Sequence, residues 1–156
     1  MLRTTLVFIF DEQNRILLAM KKRGFGAGHW NGAGGKLLPE ETVLAGIVRE
    51  LQEETGILLE ASRFEEMGML HFRFPYNPSL DQKCSVFRVT EYTGPEPIET
   101  DEMRPEWFNI GEIPYGSMWA DDIYWLPDLI LGEQFEWTFA FDEAGGIREK
   151  MNHLAN

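Results

Sequence analysis

Cysteine is almost missing. Cys84 stands alone in 156 residues, so no intrachain disulfide can form and a disulfide-stapled secreted mini-protein is excluded. Positive charge is scarce as well. There are 14 Lys and Arg against 26 Asp and Glu, for a net charge of −12. Such a surface repels a phosphate polymer at long range, which excludes a general nucleic-acid coat. It still admits a small anionic substrate where metal ions and a local basic patch offset the field. Long apolar runs are missing too. The N-terminal run Leu6–Phe10 is too short to span a bilayer and lacks the cleavage site of a signal peptide. The expectation is a cytoplasmic protein with no membrane partner. Repeats, low-complexity tracts and linkers are absent, so one domain is expected over residues 1–156. What is abundant is aromatic surface. With 11 Phe, 5 Trp and 4 Tyr in a chain that is 44% hydrophobic, there is enough apolar material for one core.

Local patterns predict the elements. Thr4–Phe10 is β-branched and aromatic and predicts a buried strand. Asp11-Glu12-Gln13-Asn14 has turn chemistry, and Arg15–Met20 predicts the return strand. Residues 23–35 hold glycines at 24, 26, 28, 32, 34 and 35 and predict a loop with room for a short strand. Apolar residues at Val43, Leu44, Ile47, Val48 and Leu51 follow helical spacing over Thr42–Thr55, and Gly56 stops that helix. Leu70, Phe72 and Phe74 alternate with His71 and Arg73, and residues 84–92 predict another strand. Trp107-Phe108 is a candidate short strand. Residues 121–131 predict a second helix, with Pro127 in its first turns. Phe135, Trp137, Phe139 and Phe141 alternate over a last strand. The order β-β-α-β-β-α-β predicts an α/β (α+β) fold, an α/β/α sandwich with a mixed sheet.

The first helix is chemically unusual. Glu50, Glu53 and Glu54 lie at i, i+3 and i+4 and share one face. Like charges at that spacing weaken an isolated helix by roughly 0.2–0.5 kcal/mol per pair. They also lie near the C-terminal end, where the macrodipole disfavours anions. A solvated acidic face accounts for a lone E-x-x-E-E. A bound cation is the other reading, and hard carboxylate oxygens suit Mg²⁺ or Mn²⁺. Leu44, Ile47, Val48 and Leu51 are left to anchor the helix on the sheet.

The spacing extends beyond the glutamates. Gly35, five residues, Glu41 and seven residues lead into Arg49-Glu50-Leu51-Gln52-Glu53-Glu54-Thr55-Gly56-Ile57. This stretch resembles the signature of the Nudix hydrolases at every position. The resemblance implies a metal-dependent enzyme that cleaves a nucleoside diphosphate linked to another group. It implies Glu50, Glu53 and Glu54 as metal ligands, with the carbonyl of Gly34 or Gly35 as a further oxygen. A glutamate or a bound water would supply the base. Arg49 would orient a glutamate by ion pairing, and Glu41 would brace the loop against the helix. Such chemistry needs charge neutralisation and an activated water, and a bound metal supplies both. Lys21, Lys22 and Arg23 offer local phosphate contacts or form an exposed basic turn.

Further blocks are similar to the branch of that family acting on oxidised purine nucleoside triphosphates. They are Met20–Gly28 with Trp30-Asn31-Gly32, Glu99–Pro105 with Trp107-Phe108, and Met118–Pro127. The similarity runs over roughly residues 4–141. It implies hydrolysis of nucleotides such as 8-oxo-dGTP and 2-hydroxy-dATP to the monophosphate and pyrophosphate, sanitising the nucleotide pool. By that resemblance Thr5, Lys21, Phe25, Asn31 and Phe72 line the substrate pocket, with Gly34, Gly35 and Lys36 bordering it. Trp119 stacks on the purine, Asp121 and Asp122 read its edge, and Trp125 closes the wall. Glu102 is an added metal ligand. Residues 75–83 depart from the branch pattern, which leaves the preferred oxidised purine open.

Adjacent carboxylates inside an aromatic cluster are desolvated and repel each other, and both effects raise a carboxyl pKa. A protonated Asp donates where an ionised one only accepts, so the pair could meet purines with different donor patterns. Asp121 and Asp122 also suit a helix N-terminus, where Asp is favoured as a cap. His29, His71 and His153 are read as loop, strand and tail, without metal-ligand spacing. The alternatives are a Nudix hydrolase for ADP-ribose, a dinucleotide polyphosphate or an unmodified dNTP, and a non-catalytic nucleotide-binding module. The expected assembly is a monomer.

Overall fold

Alternation along the first strand, β1 (Leu2–Asp11), divides the core in two. Phe8 and Phe10 point to one side, and Val7 and Ile9 to the other. The computed structural model describes residues 1–154. After β1 come β2 (Arg15–Lys21), β3 (Trp30–Asn31), β4 (Ala33–Lys36), α1 (Val43–Thr55), β5 (Glu65–Arg73) and β6 (Gln82–Tyr92). Then follow β7 (Met103–Asn109), α2 (Asp122–Leu131), β8 (Phe135–Phe141) and β9 (Ile147–Asn152). The strands make one mixed sheet in the order β3-β2-β1-β6-β5-β8-β9, with β4 added to β1 and β7 to β2. The pairs β1·β6 and β5·β8 are parallel. The pairs β1·β2, β5·β6 and β8·β9 are antiparallel.

A helix covers each face. Ile47 and Leu51 of α1 pack with Val7, Ile9, Phe87 and Val89. Trp125, Leu126 and Leu129 of α2 pack with Phe8, Leu70, Val86 and Phe139. Burying each such side chain stabilises the fold by roughly 1.5–3 kcal/mol. This is the predicted α/β/α arrangement. The Thr42 hydroxyl caps α1 by accepting the Ala45 N–H at 3.1 Å, and Gly56 ends it at φ +78°.

Three details differ from the sequence-based expectation. Leu44 is 42% exposed and does not anchor α1, because the helix buries residues only from Gly46 onward. The Trp107-Phe108 pair belongs to a longer strand, β7, which pairs with β2 from Lys21 to Arg15. Strand β9 carries Arg148-Glu149-Lys150 and shows no apolar alternation, as befits a charged sheet edge.

Strands β1 and β2 meet only at Ile9–Phe10 and Leu17–Ile16 and then separate. The glycine-rich segment fills the opening. Its β3 part pairs with β2, and its β4 part with β1. That opening is where the candidate site forms.

Candidate functional site

Two glycines bring α1 against the opening. At Gly34 the backbone has φ +153°, and an added Cβ would lie 1.9 Å from the Thr5 carbonyl oxygen. Only glycine lets β4 lie this close to β1. At Gly35 a Cβ would lie 2.8 Å from Glu50 Oε1, so this position leaves the carboxylate room. The Gly34 N–H donates to Glu54 Oε1 at 2.6 Å.

Arg49 organises the rest of the acidic face. Its Nε and Nη2 donate to Glu41 at 2.8 and 2.9 Å. Its Nη1 donates to Glu50 at 3.0 Å and to Glu53 at 3.2 Å, while Nη2 also reaches the Lys36 carbonyl. One planar guanidinium thus ties the loop before α1 to two glutamates. The Glu41 hydrogen bonds hold that carboxyl well below its usual range. Burial raises the Glu50 carboxyl against the pull of Arg49. Glu54 is not among the carboxylates that Arg49 reaches. Burial pushes it up to about 8; the Gly34 N–H and Lys21 oppose that shift, and the Glu50 and Glu102 charges reinforce it.

Buried carboxylates with this little compensation fit a hard divalent cation. Among the described residues no three His, Cys, Asp or Glu groups converge to chelating distance. The reason is visible in the ion pairs. Glu53 leans on Arg49, and Glu102 accepts from Arg23 Nη2 at 2.8 Å. Both carboxylates are more than half exposed.

A cavity of about 340 Å³ occupies the opening. Glu54, Gly34, Gly35 and Lys36 line it beside α1, and Thr5, Lys21 and Asn31 line it from the strands and the glycine loop. Phe25, Phe72 and Trp119 supply aromatic walls. Asp121 and Asp122 complete it, 1% and 2% exposed. The Asp121 Oδ2 accepts the Trp125 indole N–H at 2.7 Å, and neither oxygen caps α2. Asp122 Oδ2 is buried with no N–H or hydroxyl donor beside it, and the two carboxyls share a hydrogen bond only when one of them is protonated. Burial pushes the Asp121 carboxyl up to about 6. Asp122 is raised well above the usual range by burial and then by its neighbour's charge. A buried polar atom without a partner costs free energy, and a ligand that supplies one recovers it.

The sequence pattern of the NUDIX domain matches residues 2–129. The chain belongs to the Nudix family. This Nudix chain is 44% identical over 137 residues to "Oxidized purine nucleoside triphosphate hydrolase" of Danio rerio, covering 88% of this chain and 85% of that one. It is 42% identical over 143 residues to the protein of that name from Mus musculus, covering 92% and 88%. A MutT protein structure from Bacillus halodurans aligns over 100% of both chains with a TM-score of 0.85 and 23% identity, a likeness of fold.

Most of the residues singled out in the sequence of this Nudix hydrolase meet at the cavity or on the α1 face beside it. Glu102 is close enough to raise Glu54, but its carboxylate is paired with Arg23. Trp125 also stands apart. It is fully buried behind Asp121, packed on Phe8 and Phe135 with ring centroids at 5.7 and 5.3 Å, and does not line the cavity. Its i+4 position on α2 turns it into the core while its N–H reaches back to Asp121. Trp125→Phe is therefore expected to leave Asp121 Oδ2 unpaired and cost about 1–3 kcal/mol, read by urea denaturation. Unchanged stability would remove that bond from the account.

Sequence reasoning missed Gln82, Cys84, Phe141 and His29, which also border the cavity. Alternation on β6 was the available signal, since Gln82 and Cys84 share a face with the buried Val86. Burial pushes the Cys84 thiol up to about 12, so it stays protonated.

Proposed function

We propose that this Nudix hydrolase converts oxidised purine nucleoside triphosphates, such as 8-oxo-dGTP and 2-hydroxy-dATP, to monophosphate and pyrophosphate with Mg²⁺, Mn²⁺ being an alternative. The observation that carries the reading is the buried Asp121–Asp122 pair, with Asp122 Oδ2 reached by no other donor, in the cavity that also contains Glu54. Oxidation of a purine changes which edge atoms donate and which accept. A carboxyl pair held partly protonated can supply both partners. The activity for which the Danio rerio and Mus musculus relatives are named supports the same substrate class.

In this reading Glu50, Glu53 and Glu54 hold the cation, with the Gly34 carbonyl and Glu102 as added ligands. A divalent ion held by these residues would supply charge neutralisation for the phosphates and a more acidic water. Arg49 keeps Glu50 and Glu53 oriented. Lys21 and Lys36 meet phosphate oxygens. Thr5, Asn31, Phe25 and Phe72 border the nucleoside, and Trp119 stacks on the base. The anhydride between the α and β phosphates is the bond that breaks. A single domain acting as a monomer in the cytoplasm completes the proposal. Among the described residues no helix is long and apolar enough to cross a membrane.

The test is product release from 8-oxo-dGTP, 2-hydroxy-dATP, dGTP, dATP and ADP-ribose with Mg²⁺. Pyrophosphate is followed for the triphosphates and AMP for ADP-ribose. A clear preference for the oxidised purines is expected. Equal turnover of every dNTP, or activity on ADP-ribose alone, would overturn the substrate assignment while leaving the catalytic helix in place.

A further inference from the structure

We infer that His29 is a positioning residue for base recognition: its imidazole backs the Trp119 indole and sets the angle of that wall. The inference rests on the reading of Trp119 as the purine-stacking residue.

Trp119 needs a brace. It stands in the short connection between a 3-10 turn at Tyr115–Ser117 and α2, outside the sheet. Its indole borders two spaces. One is the 340 Å³ cavity with the Asp pair, and the other is a cavity of about 460 Å³ bordered by Tyr76, Tyr115 and Glu143. A planar side chain with open volume around it is held best by a group that lies flat against it. Among the described aromatic contacts only His29 does so, with ring centroids 4.8 Å apart and planes within 15°. Phe25 is tilted at 34° and Phe141 meets the indole edge-on.

His29 is itself tied down. Its N–H donates to the Gly26 carbonyl at 3.1 Å, and its carbonyl accepts the Lys21 N–H at 3.3 Å. Ring Nδ1 lies 3.2 Å from the same Gly26 oxygen. The next residue, Trp30, is buried in the core and paired to Met20. Gly24, Gly26 and Gly28, all at positive φ, curl the intervening loop onto Lys21 through the Gly28 N–H at 2.9 Å. At Gly26 a Cβ would sit 3.5 Å from the indole, so the loop backbone also lies against Trp119. The imidazole is thereby fixed to the sheet before substrate arrives, and the stacking surface is preorganised.

Three substitutions separate stacking from loop bracing. His29→Ala removes the ring and its bond. His29→Phe keeps a flat face and drops the bond to Gly26. His29→Asn keeps a short donor for Gly26 and drops the ring. KM and kcat are measured with 8-oxo-dGTP. The ordering of Trp119 is read from the near-UV circular dichroism band that Trp119→Phe removes. The expected result is a KM rise of about 3- to 10-fold for His29→Ala and His29→Asn, the size of a lost aromatic pair. Their kcat stays within about twofold and the Trp119 band weakens, while His29→Phe keeps both near wild type. Rescue by His29→Asn but not by His29→Phe would overturn the inference in favour of a loop hydrogen bond. An unchanged or lower KM in His29→Ala would overturn it too, since the imidazole would then be idle or in the way of the base. If the wild type shows no preference for oxidised purines, the substrate reading fails. The backing role is then decided by the Trp119 band and by KM for whichever nucleotide is turned over.

Discussion

Glu54→Gln is expected to lower turnover by about 100- to 10,000-fold while the protein still folds. Glutamine is nearly isosteric, and its carbonyl can still accept the Gly34 N–H that Glu54 Oε1 accepts at 2.6 Å. What disappears is a charge that burial already disfavours. The melting temperature in the presence of a chelator should therefore stay within a few degrees of wild type. The rise in melting temperature caused by Mg²⁺ should shrink, because an ion that binds only the folded state stabilises in proportion to the logarithm of its occupancy. Steady-state rates and thermal melts on the same two proteins check both halves. A rate within about threefold of wild type would remove Glu54 from the mechanism. A collapsed fold would point instead to the strand–helix junction at Gly34.

The Asp pair gives the second large effect. Asp121→Asn and Asp122→Asn replace carboxyls that can exchange donor and acceptor roles with amides that cannot. The ratio of kcat/KM for oxidised over normal purines is expected to move by about 10- to 100-fold, the range for one or two mismatched buried hydrogen bonds. Ratios unchanged in both variants would end the recognition role.

A pH measurement isolates the same groups. Both carboxyls are raised in the folded protein, Asp121 to about 6 and Asp122 well above the usual range. The folded state therefore holds protons that the unfolded chain has released, and stability falls as pH rises. The contribution is intact below about pH 4, where even unfolded Asp is protonated, and is lost as pH rises through about 6 and beyond. Asp122→Asn cannot titrate. Its stability, measured without metal, should decline less between pH 5 and 8 than that of the wild type. Parallel curves for the two proteins would contradict the buried pair.

Helical spacing is a local property, so the sequence alone placed Glu50, Glu53 and Glu54 on one face and read α1 to within a residue of its start. Strand alternation did the same for β5 and β8, because a half-buried strand repeats every two residues whatever it pairs with, while β-branched and aromatic composition marked the buried strand β1. The glycine pair before the helix was visible too, although its reason was not. That reason is a Thr5 carbonyl oxygen 1.9 Å from where a Gly34 Cβ would stand, on a strand far back in the chain.

Only the tertiary structure decided the remainder. Register between β1 and β6 puts Cys84 beside Thr4, and the Thr4 hydroxyl within 3.3 Å of the Gln82 side chain. The turn of α2 hides Trp125 and leaves Asp121 at the cavity. Closure of the glycine loop lays His29 on Trp119, 90 residues along the chain. Each of these depends on which distant backbones pair and how the helices settle on the sheet. Periodicity along the chain carries no record of such pairings, because it reports which face a residue takes and not what lies opposite.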